Sequence, residues 1–320
     1  MPPTSAELTG TTTHRYGYLG PAGTFCQMAL DAWEPARSAE QVPCDSVVAA
    51  LEALRRSDLD AAMVPIENSV EGGVSATLDA LSVGSDLVIT GEVLVPVTFV
   101  LAVRPGTRLE DVRAVGTHPH GWAQVRTWMN TNLPSAAYLT TLSTAAAAAD
   151  LDPAAGDIAA YQAAVCAPVA AKIHGLDVLA EDIGDNGRAV TRFALVAPPG
   201  HTPPPTGADK TTLVLYQRDD HPGGLLELLE QFAARGVNMT RLESRPTGAA
   251  MGSYCFSIDM DGHIADARVA ETLMGLKRVC AQVRYLGSYA RADGRVTRTP
   301  AGTSDAEFDA ARRWLEELRD

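Results

Sequence analysis

The sequence predicts an α/β protein of two folding units: a larger, two-lobed unit over residues 15–197 and a smaller βαββαβ unit over 210–290. Three observations carry this reading. From Arg15 to about Leu195, short apolar runs alternate with longer amphipathic ones, the pattern of strands joined by crossover helices. Pro198 to Asp209 then places five prolines and two glycines in twelve residues, which can sustain neither a helix nor a central strand and reads as a linker. Beyond it the order is strand, helix, strand, strand, helix, strand, which is the ferredoxin-like split unit. At 320 residues the chain exceeds one compact core, so two units are expected, with residues 291–320 left as a tail.

Element by element, Tyr16–Leu19 reads as the first strand, Gly20–Gly23 as a turn and Thr24–Ala36 as the first helix. A second helix over Ser46–Arg56 leads to a strand at Ala61–Pro65, and Thr77–Leu81 reads as an apolar helix. A strand from Val88 to Val103, broken at Pro96, opens a second α/β half. Helices are expected there at Gly121–Asn130, Thr144–Asp150 and Tyr161–His174, with a returning strand at Ala189–Val196. Two lobes with a cleft between them is the economical arrangement, and such clefts favour small ligands. In the second unit the strands are expected at Thr211–Gln217, Asn238–Ser244, Ser253–Met260 and Val283–Tyr289. Its helices are expected at Pro222–Arg235 and Asp266–Cys280. Ser304 and Glu307 form a capping box ahead of Phe308, Trp314, Leu315 and Leu318, so the tail ends as an amphipathic helix.

Hydrophobic residues make up 46 % and charged residues 20 %, enough apolar material for real cores. The formal net charge of -13 argues against nucleic acid or an anionic membrane as partner, since both need a basic face. Any positive charge offered to a small anion must therefore be local. Met1–Arg15 lacks the features of a secretory signal, and no apolar run has the length of a membrane span, so a cytoplasmic location is expected. The five cysteines, Cys26, Cys44, Cys166, Cys255 and Cys280, are odd in number and scattered, which fits reduced and mostly buried thiols. His118 and His120 lie close together but lack a third ligand at metal-binding spacing.

Four stretches could carry chemistry. Gly20-Pro21-Ala22-Gly23-Thr24-Phe25 sits between a strand and a helix start, where free N–H groups and the helix dipole suit an anion; on these residues alone the plainer reading is a turn capped by Thr24. It has neither dinucleotide-binding nor P-loop spacing. Val64–Gly73 clusters Glu67, Asn68 and Ser69 after a strand, either a ligand site or a turn in which Asn68 and Ser69 satisfy local backbone. Thr191-Arg192-Phe193 supplies a hydroxyl, a cation and an apolar wall; strand alternation puts Thr191 and Phe193 on one face and Arg192 on the other unless the strand starts after a bend. In the second unit, Asp220–Leu225 and Glu243-Ser244-Arg245-Pro246 offer a glycine turn and a strand end, which serve either a ligand or the turn itself.

Taken in order, these motifs resemble the prephenate dehydratase family from Tyr16 to Tyr289. The match rests on Gly20–Phe25, Pro65-Ile66-Glu67-Asn68-Ser69, His118-Pro119 with Gln124, Thr191-Arg192-Phe193 and Glu243-Ser244-Arg245-Pro246. The resemblance implies a catalytic region of the type 2 periplasmic-binding-protein-like fold with its site in the cleft. It further implies a regulatory ACT domain that binds L-phenylalanine at a subunit interface, in a homodimer or homotetramer. The implied activity is that of a lyase that converts prephenate to phenylpyruvate, carbon dioxide and water on the route to phenylalanine. Aromatisation supplies the driving force, so no cofactor and no metal are expected.

The resemblance also implies roles for residues. Thr191 assists the leaving hydroxyl; Arg192 orients the substrate or neutralises a carboxylate; Thr24, Asn68, Ser69, His118 and Gln124 hold polar groups, and Phe193 walls the ring. The effector is expected at Gly223, Gly224, Leu225, Asn238, Glu243, Ser244 and Arg245. Departures from the family pattern are His120-Gly121-Trp122, Thr117, Cys26, the approach Asn186–Val190, and Gly224 in place of alanine. The competing readings are a non-aromatising prephenate decarboxylase, an arogenate dehydratase and, outside enzymes, an amino-acid sensor. The intact Thr191-Arg192-Phe193 favours dehydration over decarboxylation alone.

Overall fold

Lobe 1 begins as the alternation requires, with apolar strands inside and amphipathic helices outside. The computed structural model describes residues 14–319 apart from 85, 157–158, 201 and 248–253. Residues 1–13, read above for a leader, and Ser253, the expected start of a strand, lie outside the described residues. In chain order the first lobe contains β1 (Arg15–Leu19), α1 (Phe25–Ala32), β2 (Glu40–Cys44), α2 (Val47–Arg55), β3 (Ala61–Asn68), β4 (Gly72–Gly73), α3 (Ser75–Ser82) and β5 (Val88–Pro96). The second contains β6 (Val100–Val103), β7 (Ala114–Thr117), α4 (Pro119–Asn132), β8 (Ala137–Thr140), α5 (Thr144–Ala149), β9 (Ala163–Cys166), α6 (Pro168–Ile173) and β10 (Asp177–Ala180). The chain then returns to the first lobe as β11 (Val190–Ala197).

The first sheet runs β2-β1-β3-β11-β5, with β4 beside β3, and the second runs β10-β6-β9-β7-β8. Two chain segments cross between them, 97–99 outward and 181–189 on the return. They hold each other, since Val97 N donates to Ala189 O at 2.8 Å and Ile183 N to Phe99 O at 3.0 Å. Pro96 thus ends one strand at the point where the chain changes lobe, so the apolar stretch Val88–Val103 serves two sheets. This is the two-lobed type 2 arrangement, with a cleft where the crossings lie.

Past the linker come β12 (Asp209–Tyr216), α7 (Gly224–Ala233), β13 (Met239–Pro246), β14 (Tyr254–Asp261), α8 (Ala267–Val279) and β15 (Gln282–Ala290). They build the expected βαββαβ unit around an antiparallel sheet ordered β13-β14-β12-β15. Its own core gathers Leu213, Leu215, Leu228, Phe232, Ile258, Met260 and Leu276. The opposite face of the sheet is not left to solvent. Val214, Cys255, Leu286 and Tyr289 join the apolar core of lobe 1 with Leu54, Val64, Leu78 and Ile89, so lobe 1 and the C-terminal unit share buried surface. The tail forms α9 (Asp305–Glu317), whose capping box between Ser304 and Glu307 is the one expected. Asp305 accepts from Ala267 N at 2.7 Å, which ties the start of α9 to the start of α8.

Several elements differ from expectation for local reasons. The first helix stops at Ala32 because Pro35 opens a separate 3-10 turn over Glu34–Ser38, and a proline cannot continue the preceding helix. The segment Tyr161–His174 is a strand and a short helix, β9 and α6. Ala163–Cys166 is wholly buried between β6 and β7, so it lacks the period of two, and Pro168 starts the helix afresh. Edge strand β2 was not expected, because Pro43 and its polar residues mask it. Among the described residues no helix is long and apolar enough to cross a membrane, and the five cysteines are free thiols, Cys44 partly exposed and the others buried.

Candidate active site and its links to the C-terminal unit

The cleft holds a cavity of about 300 Å³, to which both lobes contribute. Of the residues expected at the substrate, Thr24, Asn68, His118, Gln124, Thr191 and Phe193 line it; Ser69 and Arg192 do not. Thr191 is reached from β11 and Asn68 from the end of β3, where the two strands pair Thr191 against Asn68. Asn68 Nδ2 donates to Thr191 Oγ1 at 2.9 Å. The amide cannot turn around, because its Oδ1 accepts from Val70 N at 2.8 Å and Glu71 N at 3.2 Å. A hydroxyl has one hydrogen and two acceptor sites; with one acceptor site taken by Asn68, the Thr191 hydrogen is left for the cleft. Ser69 locks this pair from the side, its Oγ accepting from Val190 N at 2.9 Å and its N–H donating to Val190 O at 2.9 Å.

Thr24 is spent locally. Its hydroxyl donates to Leu19 O at 2.9 Å and caps α1 by accepting from Gln27 N at 3.3 Å, so the turn-and-cap reading describes its hydroxyl although the residue borders the cavity. His118 caps α4, its Nδ1 accepting from His120 N at 3.2 Å. Burial, reinforced by His120 and opposed by Glu71, lowers its pKa from the ordinary imidazole value. A neutral ring that accepts at Nδ1 carries its proton at Nε2. Across the cleft, His120 Nδ1 lies 2.9 Å from Glu71 Oε2, linking lobe 2 to lobe 1 at the rim.

Sequence reasoning missed the other walls. Phe25 and Phe99 meet edge to face with ring centres 5.6 Å apart, and Leu142, Ser143 and Thr144 close the lobe 2 side. Phe99 follows the Pro96 break and Ser143 is the cap of α5, so the only available signals were a chain crossing and a helix start. Among the described residues lining the cavity there is no lysine or arginine. The positive dipole ends beside it are the starts of α1 and α4; at α4 Pro119 has no N–H and His120 N is taken by His118 Nδ1. Among the described residues no group of three or more His, Cys, Asp and Glu could hold a metal ion.

Arg192 requires a correction. Placed on the substrate by resemblance, it lies on the opposite face of β11, as strand alternation dictates, buried between lobe 1 and the C-terminal unit. Its Nε donates to Glu92 Oε2 at 2.5 Å, one terminal nitrogen to Glu67 at 3.3 Å and to Asp259, and the other to Tyr289 Oη at 2.8 Å. Lys210 Nζ joins Glu92 at 2.9 Å, and Arg241 Nε joins Asp259 at 3.0 Å. Burial alone would raise the Asp259 carboxyl, but Arg192 and Arg241 outweigh it and hold the group well below its ordinary range. Glu92 follows the same logic, with Arg192 and Lys210 overcoming burial.

Both folded pKa values are depressed, so their contribution to stability is complete above the unfolded carboxylate values of about 4 and is lost as pH falls through the depressed values. Melting curves from pH 6 to pH 3 should therefore show Asp259→Asn losing less stability on acidification than the wild type. A parallel loss would show that Asp259 contributes nothing to the acid limb.

The expected effector residues divide likewise. Gly223, Gly224, Leu225 and Ser244 line a depression of about 250 Å³ with Gln217, His221 and Tyr254. Asn238, Glu243 and Arg245 do not line it. Asn238 Nδ2 is bound to Asp261 at 2.9 Å. Alternation along β13 turns Glu243 and Arg245 away from Ser244 and toward lobe 1: Arg245 grips Asp79 with two hydrogen bonds of 2.7 and 2.8 Å, and the Glu243 carboxylate packs against Gly73.

Comparison with known proteins bears on this arrangement. The family model described as prephenate dehydratase matches residues 16–200. A prephenate dehydratase of Amycolatopsis methanolica is 44 % identical over 302 residues, covering 94 % of this chain and 96 % of the relative. The crystal structure of a prephenate dehydratase from Arthrobacter aurescens in complex with L-Phe is 54 % identical with a TM-score of 0.90, covering 95 % of this chain and 99 % of that one. A chain described as a novel type of quorum quenching acylase is 28 % identical with a TM-score of 0.75, covering 88 % of this chain and 100 % of that one.

Proposed function

Since the chain belongs to the prephenate dehydratase family and is a lyase that turns prephenate into phenylpyruvate, we propose that Thr191 drives the reaction by hydrogen-bonding the departing ring hydroxyl. The carrying observation is the 2.9 Å hydrogen bond from Asn68 Nδ2 to Thr191 Oγ1, which leaves the threonine as a donor into the cleft. In the reaction the bond from the ring to its carboxylate breaks, its electron pair enters the ring, carbon dioxide leaves, and the hydroxyl on the opposite side departs with one proton as water. A threonine is too weak an acid to protonate that hydroxyl in advance. Its hydrogen bond strengthens as negative charge builds on the leaving oxygen, and that difference between ground and transition state is what accelerates the step. The proton consumed comes ultimately from solvent.

Thr24, Asn68, His118, Gln124 and Phe193 are assigned to the substrate envelope, with Ser69 and Arg192 acting from behind it. The neutral His118 offers an Nε2–H donor, and the positive dipole end of α4 beside it suits a carboxylate. The carboxylate that is lost is assigned instead to the part of the cleft walled by Phe25 and Phe99, with no lysine or arginine in the lining, where poor solvation favours its departure.

We assign residues 15–197 to catalysis, 198–209 to the linker, 210–290 to a regulatory ACT domain and 291–320 to the tail. The depression at Gly223, Gly224, Leu225 and Ser244 is assigned to L-phenylalanine, supported by the relative described in complex with L-Phe. Leu226, Leu242 and Tyr254 are exposed in one protomer and lie in or near this depression, which supports a homodimer or homotetramer with the effector at a subunit interface. A cytoplasmic location fits the five free thiols.

The test is product identification from purified protein and prephenate, with and without L-phenylalanine. Phenylpyruvate and carbon dioxide in equal amounts, with turnover altered by L-phenylalanine, are expected. A non-aromatic decarboxylated product would move the assignment to a decarboxylase, preference for arogenate to an arogenate dehydratase, and L-phenylalanine binding without turnover to a sensor.

A further inference from the structure

We propose that Asp259, a carboxylate of the C-terminal unit, is a positioning residue for catalysis: by holding Arg192 it fixes the strand that aims Thr191 at the substrate. This inference rests on the assignment of Thr191 to the leaving hydroxyl. It starts from β11, where three consecutive residues divide between two faces. Thr191 and Phe193 line the cleft, while Arg192 between them enters the junction with the C-terminal unit. Register breaks at this point. Against β3, Thr191 pairs with Asn68 and Arg192 with Glu67, but Phe193 pairs with Pro65, so one extra residue of β3 is accommodated between Arg192 and Phe193. Irregularities of this kind re-aim neighbouring side chains, and which way Thr191 faces depends on what pins the strand there.

Arg192 is that pin, and much of its grip comes from outside the lobe. Asp259 on β14 and Tyr289 on β15 each accept from it, alongside Glu92 and Glu67 of lobe 1. Asp259 is wholly buried and is itself over-determined, accepting from Thr212 Oγ1 at 2.8 Å and from Arg241 Nε and a terminal Arg241 nitrogen at 3.0 and 3.1 Å. Tyr289 Oη is fixed by Thr212 at 2.6 Å. A carboxylate held by two guanidinium groups and a hydroxyl has no alternative arrangement of similar energy. Removing its charge leaves Arg192 and Arg241 buried and facing each other with less compensation. Arg192 then shifts, and the 2.9 Å contact between Asn68 and Thr191 shifts with it. Small displacements of a donor from its productive position are costly to catalysis.

Asp259→Asn in the full chain, which keeps the shape and removes the charge, should lower kcat for phenylpyruvate formation by about 10- to 100-fold with KM within about threefold. Tyr289→Phe, a milder change that removes one hydroxyl and no charge, should lower kcat in the same direction by a smaller factor. Tyr216→Phe is the structural control: it removes the hydrogen bond from Tyr216 to Ser82 O, a tie between the same two units that bonds neither β11 nor Arg192, and should lower the melting temperature without lowering kcat. In a Thr191→Ala background, Asp259→Asn should produce little further loss of kcat, because the residue it positions is already gone. The proposal is overturned if folded Asp259→Asn and Tyr289→Phe both retain wild-type kcat, or if the effects of Asp259→Asn and Thr191→Ala multiply independently. Were Thr191→Ala itself fully active, the assignment of Thr191 would fall first, and that outcome is distinguishable from the other two.

Discussion

Replacing Thr191 by alanine should reduce kcat for prephenate by about 10²- to 10³-fold, the usual cost of deleting one donor aimed at a developing oxyanion, while KM stays within about threefold. The split follows from the geometry. In the ground state the substrate hydroxyl gains little from the Thr191 donor, because a neutral hydroxyl is an ordinary acceptor; the gain comes when the ring-to-oxygen bond breaks and charge collects on the oxygen. Thr191→Val, which preserves the branched shape on β11 but has no donor, should match the alanine variant, and Thr191→Ser should recover most of the activity. Steady-state assays of phenylpyruvate formation separate these cases. Valine retaining wild-type kcat would show that Thr191 only fills space. A large rise in KM at constant kcat would show that it only binds substrate. The contact with Asn68 makes a further distinction, since Asn68→Ala leaves the donor in place but frees its rotation, so its defect in kcat should be smaller than that of Thr191→Ala.

The arrangement of this site was legible in the sequence to different depths. Alternation along a strand is a local, geometric rule, and it separated Thr191 and Phe193 from Arg192 correctly while the resemblance placed all three at the substrate. The same rule, applied to β13, separates Ser244 from Glu243 and Arg245, which reach Gly73 and Asp79 on lobe 1. The βαββαβ order of the second unit was readable from the apolar stripes of α7 and α8 and from β14, which alternates Phe256, Ile258 and Met260 with Ser257, Asp259 and Asp261; β12 is buried almost throughout and was bounded by the Pro-rich linker before it and the glycine turn after it. Fully buried strands gave no such signal: Ala163–Cys166 is apolar on both faces, so its pattern is equally that of a buried helix. Phe99 was unreadable for another reason: it lies on the outgoing crossing between the lobes, and nothing in its local sequence distinguishes a residue there from one in an ordinary loop. Phe25 and Ser143 sit at the starts of α1 and α5, where a helix start was legible but not that both border one cavity.

The closeness of lobe 1 and the C-terminal unit leads to the largest expected effect on stability, at Gly287. This glycine lies on β15 where the strand bulges against β12, its pairing shifting between Thr212 and Leu213. It has a φ of +126°, which side chains rarely adopt, and a Cβ there would overlap the carbonyl oxygen and backbone of Ile89 on β5. A flexible side chain could swing aside, but Ile89 cannot, because β5 is paired along its length with β11. Gly287→Ala therefore combines left-handed backbone strain of about 1–2 kcal/mol with overpacking of about 1–3 kcal/mol. The expected result is a melting temperature lower by about 5–10 °C. Gly106→Ala isolates the first contribution, since Gly106 also has positive φ, at +84°, but nothing within 4 Å of the added carbon; its loss should be about 1 kcal/mol. Relief of the clash requires β15 to move away from β5, and β15 carries Tyr289 two residues further on, with its hydroxyl on Arg192. Gly287→Ala should accordingly lower kcat as well as stability at temperatures where it remains folded, whereas Gly106→Ala should lower stability alone. Equal melting temperatures for the two variants would mean that β5 and β15 are not packed backbone to backbone, and the route from the C-terminal unit to Thr191 would lose its physical basis.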